Sequence, residues 1–182
     1  MAHPPGQAQR RIPLPALVVL ALLLAAGPIG LALSGDESPR SPPGNTLGDV
    51  ARKSGCRLQE YENSRATNPP VTGRLVERAS ATDGSHIGRG TPSTDATTHS
   101  LLHGRVLIQY RPGLPRREVR AIDQLVEDDP DRVIGFANQT GMRAPVAATA
   151  YLSLLTCPRV TAATLHALRV FRDRRRGFGS DF

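Results

Sequence analysis

The sequence predicts an α+β protein: an N-terminal transmembrane helix followed by a small mixed-sheet domain with two or more helices. Three observations carry this. Residues 12–33 hold no charged side chain, and a run of about 20 apolar residues in a helix crosses a bilayer core. Residues 105–137 read as strand, helix, strand with short joints, the pattern of a parallel pair with a right-handed crossover. Cys56 and Cys157 stand 101 positions apart with no Cys-x-x-Cys arrangement around either, which reads as a structural disulfide of an exported domain.

The N-terminal run sets the compartment. Arg10 and Arg11 precede it, and Asp36 and Glu37 follow it. Excess Lys/Arg marks the cytoplasmic flank, so residues 1–11 are expected inside, 12–33 across the lipid bilayer as a signal-anchor, and the rest outside the cell membrane. A cleaved signal is the rival reading. Its apolar core would be residues 14–26, broken by Gly27-Pro28, with Ala32-Leu33-Ser34 as the cut site. Length favours the anchor, and Pro28 does not forbid a span. A buried soluble helix would show a polar face, and this run has none. Residues 34–46 are rich in Pro, Ser, Gly and charge and form a flexible linker. The extracytoplasmic domain then occupies 47–182.

The formal charge is +7; Arg10 and Arg11 supply two of these charges, leaving +5 for the exported part. A basic protein inside the cell would suggest nucleic acid as partner, but outside the membrane none is expected. Lys53 is the only lysine, aromatics make up 4%, and there is no tryptophan, so platforms for stacking bases are lacking.

Each element follows in order. Residues 47–56 suggest a short helix. Residues 63–98, rich in Pro, Gly, Ser, Thr and Asp, read as a long loop, a kind of segment that is often functional. Val106, Leu107, Ile108 and Tyr110 make a strand over 105–110, ended by Pro112-Gly113. Pro115 suits a first helical position. Val119, Ile122, Leu125 and Val126 recur at helical spacing until Asp128-Asp129-Pro130. Residues 132–137 form a second strand, and Thr140-Gly141 a turn. Residues 146–155 alternate as one strand, although Ala and Leu leave a helix open there. Thr161 can cap a last helix carrying Leu165, Leu168 and Phe171 and ending in Arg172, Arg174, Arg175 and Arg176.

The stretch Thr98-His99-Ser100-Leu101-Leu102-His103-Gly104-Arg105-Val106-Leu107-Ile108-Gln109-Tyr110 resembles a bacterial family of exported, usually membrane-anchored proteins catalogued as domain of unknown function 3105. Its members read Val-His-x-Leu-Glu-His-Gly before an apolar strand. The resemblance runs from about Lys53 to Arg176. It includes Gly55-Cys56, Asn68-Pro69-Pro70-Val71-Thr72-Gly73 where the family has Pro-Pro-Thr-Ser-Gly-Pro-His, and the segments Thr149-Ala150-Tyr151 and Leu155-Thr156-Cys157. It implies a domain of this size outside the membrane and no agreed activity. Two departures stand out: Gly73-Arg74-Leu75 lacks the family's histidine, and Leu102 replaces its glutamate.

The chemistry candidates are few. His99 and His103, four apart, would share a helix face and hold one metal ion, with His86 as a third nitrogen. Met142 would add a soft ligand favouring copper. The plainer alternative packs His103 under the strand against backbone and leaves His99 and His86 in solvent. Ser100 beside His99 lacks a Gly-x-Ser-x-Gly elbow and, if extended, would face away from it. Asp128, Asp129 and Asp131 read as a solvated helix end rather than paired catalytic carboxylates. Arg172, Arg174, Arg175 and Arg176 can meet anionic headgroups, each worth about 1 kcal/mol near a membrane surface, or form a solvated helix tail. The expected role is binding or cell-envelope support rather than catalysis, with transition-metal binding, copper above all, as the alternative.

Overall fold

A computed structural model describes residues 46–74 and 80–180. Its elements are α1 (Leu47–Lys53), β1 (Arg57–Glu60), β2 (Gly84–Ser85), α2 (Thr94–Leu102), β3 (Val106–Tyr110), α3 (Arg116–Glu127), β4 (Val133–Ala137), β5 (Val146–Ala150), β6 (Ser153–Cys157) and α4 (Ala162–Arg175). The expected anchor, 12–33, lies outside the described residues. Among the described residues no helix is long and apolar enough to cross a membrane.

The strands form one mixed sheet in the order β1-β6-β5-β3-β4-β2. β4 pairs parallel with both β3 and β2, while β3–β5, β5–β6 and β6–β1 are antiparallel. The parallel β3–β4 pair joined through α3 is the unit expected from the sequence.

Local chemistry starts the helices. The Thr46 hydroxyl accepts from the Asp49 amide in a capping box around α1, and that hydroxyl also holds the Asp49 carboxyl below its ordinary range. Ser93 caps α2 and Thr161 caps α4 through the amides of Ala96 and Thr164. Pro115 sits at the N-cap of α3, one position before the first helical residue expected for it.

Strand alternation divides the core into two faces. Val106, Ile108, Val133, Val146, Ala148, Ala150 and Leu155 meet Ile122, Leu125 and Val126 of α3 and Ala167, Leu168 and Phe171 of α4. Gly135 lets α3 approach closely, since a Cβ there would fall 2.7 Å from Val126 Cγ2. The opposite face puts Leu107, Ile134 and Phe136 against Leu101 of α2, and Ala147 and Leu154 against Val71 and Met142. The Cys56–Cys157 disulfide is formed. It ties the residue before β1 to the end of β6, beside α1.

Two expectations are corrected. Residues 146–155 are not one strand: β5 and β6 form a hairpin, with Leu152 at φ +56° in the turn. Ala148 pairs with Leu155, so Leu155 joins the α4 side and Leu154 the other, a swap that simple alternation misses. The loop expected over 63–98 contains β2 and the first turn of α2, because Ser93 supplies a cap and Leu101 an apolar anchor.

Candidate imidazole pair on helix α2

His99 lies on α2 and His103 is its C-cap residue. At i and i+4 they stand on one helix face. His99 Nε2 and His103 Nε2 are 3.0 Å apart, with ring centres 4.7 Å apart and planes at 74°. Burial is the reverse of the plainer expectation: His99 is buried, at 6% exposure, and His103 is exposed. Helical geometry also replaces the extended one expected for Ser100. Its hydroxyl is buried, donates to the Ala96 carbonyl and accepts from the Ala81 amide.

The ring of His99 is oriented from behind. Its Nδ1 stands 3.4 Å from the Arg74 carbonyl oxygen. A proton on Nδ1 donates to that oxygen and leaves Nε2 as a lone pair facing His103. The backbone reaches there because Gly73 lies flat on α2; a Cβ on it would sit 2.4 Å from the Thr98 carbonyl. Gly73-Arg74 precedes the position where the family pattern has a histidine; that position, Leu75, lies outside the described residues.

The other expected ligands lie elsewhere. His86 Nε2 meets the Thr82 carbonyl oxygen at 2.9 Å, and Met142 is buried among Val71, Ala147 and Leu154. Among the described residues no group of three His, Cys, Asp or Glu side chains is placed to hold a metal ion. Leu102, where the family pattern has a carboxylate, is buried at 6% exposure.

The arginine cluster and the aspartates meet each other. Arg172 is buried, at 4% exposure; it donates to the Leu125 carbonyl at 3.1 Å and to Asp173 at 2.7 Å. Arg176 meets Asp129 at 2.8 Å, and Arg175 meets Glu60 at 2.6 Å. The hydrogen bond from Arg176 holds the Asp129 carboxyl below its ordinary range, and Asp129 in turn raises Arg176. Arg174 is exposed. It lines a cleft of about 640 Å³ together with Thr46, Leu58, Glu60, Arg175 and Phe178.

Sequence reasoning missed a polar network beneath α2. Asn138 Nδ2 donates to Gln109 Oε1 at 2.8 Å, Gln109 Nε2 to Thr149 at 3.3 Å, and Thr140 to Asn68 Oδ1 at 2.6 Å. It borders a cavity of about 10 Å³, room for about one water. The only signal was a lone Gln inside an apolar strand.

Fold and site together define a disulfide-bridged mixed-sheet domain bearing a helix-borne imidazole pair. Residues 59–174 match the family described as protein of unknown function DUF3105. That is well over half of the chain, and the chain belongs to this family. The match begins at Gln59, so Cys157 lies within it and Cys56 just before it. No curated protein and no solved structure matches the chain.

Proposed function

We propose that this chain is a single-pass, membrane-tethered domain on the outer side of the cell membrane, with a binding or envelope-support role rather than a catalytic one. The observation that carries the reading is the Cys56–Cys157 bond in a chain whose uncharged run over 12–33 can serve as anchor. Disulfides persist in oxidising compartments. Exposed Arg174 and Phe178 suit an anionic, partly apolar headgroup region. Carboxyl-terminal fusions test the topology. A reporter active only outside the cytosol is expected to give signal, and signal from a cytosol-only reporter alone would refute the reading.

A second reading, transition-metal binding, is favoured by one observation, the 3.0 Å approach of His99 and His103. Of the three histidines first considered, these two are the ones the fold brings together. Metal content of the purified chain tests it, with bound metal expected.

A further inference from the structure

Building on the metal-binding reading, we infer that His99 and His103 form a two-nitrogen chelate for a divalent ion of tetragonal preference, of the Cu(II) class, with His86 and Met142 taking no part. The bite of the pair carries the inference. Two nitrogens 3.0 Å apart, each at the usual ~2.05 Å from a bound ion, subtend about 94° at it. With about 1.15 Å from nitrogen to ring centre, the ring centres then fall about 4.7 Å apart. The rings are 4.7 Å apart in the structure. A head-on N–H···N bond of the same length would separate them by about 5.3 Å. The contact between the two nitrogens is therefore bent rather than head-on. Among the divalent ions that imidazole suits, Cu(II) binds a given nitrogen site most tightly.

The surroundings agree. The Arg74 carbonyl behind His99 Nδ1 is the kind of outer partner that orients a ligating imidazole and fixes its tautomer. His103 is exposed, so its proton can move from Nε2 to Nδ1 without a buried partner being lost. The pair also has the spacing of helical zinc-hydrolase motifs, whose His-x-x-Glu-His form places a carboxylate base before the second histidine. Here Leu102 stands in that place, and its side chain has no lone pair with which to accept a proton. The pair suits holding an ion, and position 102 supplies no base for hydrolysis by that route.

The test titrates Cu(II) alone into the full chain in detergent. A His3→Ala background is used, because a histidine at the third position from a free amine chelates copper by itself. One equivalent is expected, with an electron paramagnetic resonance spectrum of tetragonal copper bearing two imidazole nitrogens. His103→Ala should weaken binding by more than about 100-fold, beyond what loss of an outer partner costs, while His86→Ala and His166→Ala leave it unchanged. His103 is the exposed member, so its truncation spares the core, and an unchanged melt confirms folding. Absence of copper binding overturns the metal reading as a whole. Copper that binds equally well after His103→Ala leaves that reading standing and overturns the chelate.

Discussion

Replacing Cys56 and Cys157 together by alanine opens a loop spanning 101 positions. In the chain-entropy treatment a loop of that length stabilises the fold by about 4.7 kcal/mol, acting on the unfolded chain. Cys157 is fully buried and Cys56 nearly so, and both pack into the core that α1 shares with α4; lost sulfur contacts add to the cost. A domain of this size is stable by about 5–15 kcal/mol in total, so the change removes a third or more of it. At roughly 3–5 °C per kcal/mol, the melting temperature should fall by about 14–24 °C. Thermal unfolding of parent and double variant, followed by circular dichroism, measures it. A fall under about 3 °C would refute the reasoning, since the bridge would then constrain nothing that matters. Full reduction of the parent, which keeps the sulfur atoms in the core, should give a somewhat smaller fall.

Other outcomes follow from the packing and the charges. Phe171→Ala, at a fully buried position between α4 and the sheet, should cost about 3–5 kcal/mol in chemical denaturation. Gly135→Val pushes at least one carbon into Val126 and should cost about 1–3 kcal/mol or more; a neutral result would show that α3 does not sit so close. Asp129 has a carboxyl held below its ordinary value of 3.8 by Arg176. Its contribution is present above that value and is lost as pH falls through the depressed one. The parent's advantage over Asp129→Asn should hold at pH 6 and vanish in acid, and a gap constant down to pH 2 would contradict it. His99→Ala should lower the melting temperature more than His103→Ala, reversing the order expected if His103 were the packed ring.

Much of the fold was legible because its signals are local. The apolar strand of β3, the spacing of Ile122, Leu125 and Val126, and Thr161 before α4 each follow from period or capping chemistry. The β5–β6 hairpin escaped because its turn carries no glycine or asparagine. Leu152 takes the left-handed conformation that those residues usually supply, and unbroken alternation looked like one strand. α2 escaped because Thr97 and Thr98 are poor helix formers. Their hydroxyls donate back to carbonyls of the same helix, and its stability comes from the Ser93 cap and the burial of Leu101. The imidazole pair was legible as a spacing, yet its orientation was not. The Arg74 carbonyl reaches His99 across 25 positions, and backbone groups leave no mark in a sequence. His86 looked like a partner by proximity along the chain, but its backbone amide bonds to Gly135 at the sheet edge and its ring to Thr82.

The most direct test of an exported domain is the thiol state of the protein as cells make it. Cells are quenched in acid, their membranes alkylated under denaturing conditions, and the intact chain weighed. A mass with no alkyl groups and the Cys56–Cys157 bond in place is the expected result. Two alkylated cysteines on the freshly trapped chain would contradict it.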